Sequence, residues 1–268
     1  MTYNQAVSSF YNHKIPLADI RTVIDGYFGM DFNSLGIHGE EDSINEEDFK
    51  YVLERLQSGY PAVYLSGYDI IRENKVFLTE DVLIPRTETI AFIYGYLKGY
   101  YEFNNHKVLD LCTGSGFIAM AIKSIYPDSQ VTASDISDKA LDLAKKSAKF
   151  NNLDISFLKS DFLSDINDTF DVIISNPPYI EEDSIDTEAP FEPELALYSG
   201  KDGCDSYRKI FSLLDKKLNK DGAAFFELEA SNALKVKDIF LSIYPQGYEI
   251  TLIKDMENKN RYLEVRKK

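Results

Sequence analysis

A chain of 268 residues, 44% of them hydrophobic, can bury a sizeable core, as one large domain or as a small domain beside a medium one. Its formal net charge of −15 opposes sequence-independent binding to nucleic acid, where Lys and Arg contacts to phosphate supply most of the affinity. Solubility is the plain account of this acidity. An acidic face for a basic protein partner is the sharper one, with Glu40, Glu41, Asp42, Glu46, Glu47 and Asp48 as its first candidate.

Cys112 and Cys204 are the only cysteines, too few and too far apart for a disulfide framework or a zinc site. The first residues, MTYNQAVSSFYNHKIP, lack the basic and apolar regions of a signal peptide, and no apolar stretch approaches the roughly 20 residues that span a bilayer. A soluble, cytoplasmic, monomeric protein without metal is therefore expected.

Residues 1 to about 72 carry little strand signal. Tyr51, Val52, Leu53 and Leu56 stand at helical spacing after Asn45, a candidate N-cap, and the helical region is expected to end near Gly59-Tyr60-Pro61. Residues 68–84 alternate apolar runs with the polar turn Arg72-Glu73-Asn74-Lys75, which predicts a β-hairpin. Ile90 to Tyr101 reads as a packing helix. From His106 onward strands alternate with helices: strands over 107–112, 130–135, 155–160 and 170–175, helices over 117–126 and 138–151. That alternation predicts a parallel sheet covered on both faces. A helix begun near Ser206, a strand over 223–228 and a helix over 233–244 follow, then an antiparallel pair over 249–253 and 261–266. The segment 180–203, rich in Glu, Asp and Pro, is a long loop of the kind that carries function.

Chemistry concentrates at strand ends. Asp110-Leu111-Cys112-Thr113-Gly114-Ser115-Gly116 lies where the first of these strands turns into a helix, so that backbone N–H groups meet a ligand. The stretch also satisfies the loose G-x-G-x-x-G/A pattern, so a dinucleotide is a rival ligand. Asp135 closes the second strand, placed for ribose hydroxyls. Asp161 and Phe162 close the third, placed for an adenine amino group and ring face. Three fitting strand ends in order favour S-adenosylmethionine, which leaves as S-adenosylhomocysteine. Asn176-Pro177-Pro178-Tyr179 closes the fourth strand: two prolines stiffen the turn and hold Asn176 extended, as needed to seize a planar –NH2 group.

With these motifs in order, residues 50 to 268 resemble the HemK family, N5-glutamine methyltransferases acting on peptide chain release factors. Val82-Leu83-Ile84-Pro85-Arg86-Thr87-Glu88-Thr89 is similar to the family's V-L-I-P-R-P-E-T-E signature. Glu192-Pro193-Glu194-Leu195-Ala196-Leu197, followed by Gly200-Lys201-Asp202-Gly203, is similar to its E-P-x-x-A-L…G-x-D-G loop. The resemblance implies a Rossmann-like class I methyltransferase, a mostly parallel seven-stranded sheet with a small N-terminal helical domain. It divides the chain into a substrate-recognition domain (1–72), a hairpin linker (73–94) and a catalytic domain (95–268).

The implied donor-binding residues are Asp110, Cys112, Thr113, Gly114, Ser115, Gly116, Asp135, Asp161, Phe162 and Asn176. On the target side, the binding residues are Asn176, Pro177, Pro178, Tyr179 and Arg86: Asn176 and Pro177 accept the two amide hydrogens, Tyr179 packs against the amide, and Arg86 positions the target loop or braces the turn. The chain departs from the family at Cys112 (usually Gly), Thr87 (Pro), Ile90 (Glu) and in Glu227-Leu228-Glu229 with Asn232, where E-I-G…Q is usual. Rival readings are a glutamine methyltransferase for a ribosomal protein and an adenine-N6 methyltransferase on DNA or RNA. The last needs a basic channel that the charge opposes. A decayed donor-binding scaffold and an NAD oxidoreductase are weaker, the first because NPPY is intact, the second because only the glycine loop and Asp135 support it.

Overall fold

The computed structural model describes residues 1–40, 42–184 and 189–268; Glu41 of the acidic candidate face and residues 185–188 of the long loop lie outside the described residues. The chain divides into two compact units, Met1–Glu80 and Asp81–Lys268.

The first unit holds helices α1 (Tyr3–Asn12), α2 (Leu17–Thr22), α3 (Leu35–His38), α4 (Glu46–Gln57) and α5 (Ala62–Ser66), then the hairpin of β1 (Tyr68–Ile71) and β2 (Asn74–Phe77). Local chemistry sets the helix starts. Thr2 and Gln5 form a reciprocal capping box on α1, and Asn45 caps α4 by accepting from Glu47 N at 2.7 Å. Phe10, Ile20, Ile24, Phe49 and Val52 make its core. The helical region does not end at Pro61: this proline occupies the N-cap of α5, and the stop comes at Gly67, whose φ of +75° ends the helix. The hairpin belongs to this first unit, so the division falls at residues 80/81 rather than around a separate linker over 73–94. Its turn is tighter than expected, two residues wide, with Arg72 at φ +58°.

The second unit carries α6 (Thr87–Ala91), a wider-pitched turn (Phe92–Leu97) and α7 (Lys98–Tyr100) in one helical run. Then come β3 (Lys107–Leu111), α8 (Phe117–Ile125), β4 (Gln130–Asp135), α9 (Asp138–Phe150), β5 (Ser156–Lys159) and β6 (Phe170–Ser175). After the long loop follow α10 (Glu194–Leu197), α11 (Asp205–Lys217), β7 (Leu218–Glu227), α12 (Ala233–Ile243), β8 (Tyr248–Lys254) and β9 (Asn260–Lys267). The seven-stranded sheet runs in the order β5-β4-β3-β6-β7-β9-β8, parallel from β5 through β7 and antiparallel at β9 and β8.

Alternation along the strands explains both covers. The register row Leu109, Ile173, Ala224 and Val265 faces the side covered by α11 and α12, where Phe211 and Phe240 meet edge-on at 5.0 Å. The next row, Asp110, Ile174, Phe225 and Glu264, faces the other side, where Phe92 and Tyr101 pack on Phe225. Among the described residues no helix is long and apolar enough to cross a membrane.

Candidate active site

The carboxyl ends of β3, β4, β5 and β6 open into one cavity of about 500 Å³ in the second unit, within the usual range for a small-molecule site. Arg86, Cys112, Thr113, Gly114, Ser115, Asp135, Asp161, Phe162, Asn176 and Pro178 border it. Of the residues singled out from the sequence, Asp110, Gly116, Pro177 and Tyr179 do not line it.

The turn after β3 is built on left-handed backbone. Cys112, Gly114 and Gly116 have φ of +63°, +53° and +83°. A Cβ on Gly114 would meet open space, so its backbone lies bare to a ligand; one on Gly116 would lie 2.8 Å from Ala144 Cβ. The positive φ at residue 112 supplies the reason for a glycine there, and Cys112 occupies it at a steric cost of about 1–2 kcal/mol. Burial pushes the Cys112 thiol well above its ordinary pKa, so it stays neutral.

Asp110 lies beneath this turn. Its Oδ2 accepts from Thr113 Oγ1 and from Ala119 N at 2.9 Å, bracing the start of α8, while Oδ1 is buried without a partner among the described residues. Burial raises its pKa to about 7, against the pull of those two hydrogen bonds. Asp135 takes Gly114 N and Ser137 N, each at 2.9 Å, on separate oxygens, and keeps lone pairs toward the cavity. A bare glycine backbone, the N-terminus of α8 and a partly buried carboxylate at the cavity suit a ligand with an amino-acid end and a ribose, so these residues fit S-adenosylmethionine.

The Asn-Pro-Pro-Tyr turn is held from outside rather than by itself. Tyr179 N and Ile180 N both donate to Leu197 O, at 3.1 and 2.8 Å, and Ser199 N donates to Ile180 O at 2.8 Å. Gly203, at φ +68°, comes so close that a Cβ there would lie 2.4 Å from the Tyr179 carbonyl oxygen. Among the described residues neither the Asn176 side chain nor the Pro177 carbonyl has a hydrogen-bond partner. The turn thus offers one amide and one carbonyl, both unengaged.

Glu192 was not singled out as a site residue, yet it joins two of the motifs. Its side chain is 2% exposed, pairs with the Arg86 guanidinium through Oε2 and accepts from Ile84 N at 2.9 Å through Oε1. The I-P-R segment is thereby tied to the E-P segment at the cavity edge. Arg86 makes a half-buried ion pair, not a solvated one. Phe162, at φ +49°, is held in an unusual conformation for an aromatic residue, with Ser160 Oγ donating to its carbonyl at 2.6 Å.

A family model described as methyltransferase small domain matches residues 97–191. A release factor glutamine methyltransferase of Streptococcus pneumoniae is 35% identical over 233 residues, 84% of this chain and 83% of the relative. The chain belongs to the release factor glutamine methyltransferase family. A ribosomal protein uL3 glutamine methyltransferase of Neisseria meningitidis is 33% identical over 75% of this chain and 67% of its own length. Among solved structures, the E. cuniculi Mtq2–Trm112 complex, responsible for methylation of the eRF1 translation termination factor, superposes with a TM-score of 0.51 at 19% identity. It covers 70% of this chain and 99% of that one, a likeness of fold. Within this family the Arg86–Glu192 pair spans two signature segments, so the E-P motif itself was the signal that Glu192 carries weight.

Proposed function

We propose that the chain transfers a methyl group from S-adenosylmethionine to the side-chain amide nitrogen of a protein glutamine, the Gln of the Gly-Gly-Gln motif in peptide chain release factors. The observation that carries this reading is the unengaged Asn176 side chain at the cavity, beside the unengaged Pro177 carbonyl, in a chain of this family. An amide nitrogen is a poor nucleophile because its lone pair is delocalised into its carbonyl. Asn176 Oδ1 and the Pro177 carbonyl accept the two amide hydrogens, which favours a more tetrahedral nitrogen and aims its lone pair. Tyr179 packs against the flat amide, and Arg86 braces the entrance through Glu192. The bound donor supplies an electrophilic methyl on a sulfonium. Asp135 holds its ribose, Cys112 to Gly116 and Asp110 shape the pocket for its amino-acid end, and Asp161 and Phe162 hold its adenine.

The helical part of the first unit is assigned to recognition of the protein target. The −15 charge supports a protein over a nucleic acid as that target. Incubation with methyl-labelled donor and release factors, with and without the Gln of Gly-Gly-Gln, tests the reading. Label on the Gln-containing factor alone supports it; label on nucleic acid or on ribosomal protein instead overturns the assigned target.

A further inference from the structure

One buried carboxyl behind the cavity wall plays no part in holding the donor or gripping the amide. Thr89, a cavity-lining residue on α6, donates from Oγ1 to Oε2 of Glu227 at 2.6 Å, and Glu227 is only 3% exposed. Tyr262 Oη donates to the same oxygen at 3.3 Å, while Tyr207 Oη donates to the Glu227 backbone carbonyl at 2.5 Å. Oε1 has no partner among the described residues. Ser175 pairs with Phe226 in the parallel β6–β7 ladder, so Asn176 and Glu227 leave adjacent strands at the same level. Burying a carboxyl costs free energy, and the two hydroxyls that reach it cannot recover it all.

We propose that Thr89 and Glu227 carry away the proton released when the glutamine amide is methylated, an inference that rests on the methyl-transfer reading. As the nitrogen lone pair forms the N–CH3 bond, the S–CH3 bond breaks and its pair returns to sulfur. The nitrogen then holds one hydrogen too many and is strongly acidic, so its acceptor needs only to be near and weakly basic. One of the two hydrogens then leaves Asn176 Oδ1 for Thr89 Oγ1, while the hydroxyl proton of Thr89 moves along the existing bond to Glu227 Oε2. The sulfonium and carboxylate charges vanish together, leaving a thioether, an N-methyl amide and a protonated Glu227 that later returns its proton to solvent.

The electrostatic setting suits this task. Burial raises the Glu227 pKa to about 7; Thr89, Tyr262 and Arg261 pull it down and Glu88 pushes it up, while Tyr179, Tyr207 and Glu229 complete the surroundings. Its carboxyl therefore both accepts and releases a proton near neutrality. A mere tether between α6 and β7 needs the hydrogen bonds and not the titration.

Single-turnover transfer to a release factor between about pH 5.5 and 9 separates the two in wild type, E227Q, T89S and T89V. In the wild type the rate rises through about pH 7. Gln keeps an oxygen for Thr89 and Tyr262 but cannot take the proton, so E227Q loses the rise and at least about 10-fold in plateau rate. T89S stays near wild type and T89V falls with E227Q, while donor affinity by calorimetry stays within about 3-fold throughout. An E227Q enzyme with the wild-type rate and pH rise overturns the relay and leaves a tether. If E227Q fails to bind donor, the T89S/T89V pair decides: equal rates overturn the relay. A wild type that labels no glutamine overturns the function reading, and the relay with it.

Discussion

Asn176 and Asp135 border one cavity but serve opposite ends of the proposed reaction, and their substitutions are expected to part company. Asn176→Ala removes an acceptor for the amide and should lower transfer by about 100-fold or more while donor affinity holds. Asp135→Ala removes a carboxylate that anchors Gly114 N and Ser137 N and faces the donor, so calorimetry should show donor binding weakened by about 10- to 100-fold. Near-normal transfer by the first variant, or unchanged affinity in the second, would refute the corresponding role. Both positions were legible in the sequence, because Asn176 stands one step beyond a strand whose apolar run is plain and Asp135 closes another in the alternation of strands and helices. Glu192, Thr89 and Glu227 were less so. Their partners lie 106 and 138 residues away, and no local pattern announces such a pairing.

At the scale of elements, the site depends on how the long loop returns to the end of β6. The Asn-Pro-Pro-Tyr turn has lost two N–H donors to proline, and Tyr179 N and the following Ile180 N bond to Leu197 at the end of α10, a helix not expected from the sequence. Four residues are too short for a periodic signal, and Pro193 at its N-cap reads equally well as plain loop. Gly203 is the decisive contact. Its φ of +68° and the 2.4 Å approach of a Cβ to the Tyr179 carbonyl leave no room for alanine. Gly203→Ala should therefore shift the turn, costing about 1–2 kcal/mol in stability and more than about 10-fold in transfer rate, with donor binding retained. A fully active Gly203→Ala enzyme would show that the turn is held by other means.

For the whole molecule, two buried carboxyls contribute to the pH dependence of stability near neutrality. Asp110 and Glu227 are both raised to about 7 in the folded state, each mainly by burial, from ordinary values of 3.8 and 4.5. Between about pH 4 and 7 the folded chain holds more protons at these sites than the unfolded chain, so their contribution to stability falls as pH rises through that window. Asp110→Asn abolishes one of the two titrations. Its unfolding free energy relative to wild type should rise by about 1–3 kcal/mol between pH 5 and pH 8, measured by denaturant titration. A constant difference across that range would place the Asp110 pKa near its ordinary value. The sequence by itself determined the alternation of strands and helices, the left-handed turn after β3 and the stiff turn after β6, because periodicity, glycine and proline act over a few residues. Only the tertiary structure decided that β9 enters between β7 and β8, that Glu192 ties two signature segments, and that Thr89 meets Glu227. Those contacts form when distant segments close on a common core, and what selects them is the fit of buried surfaces and hydrogen bonds.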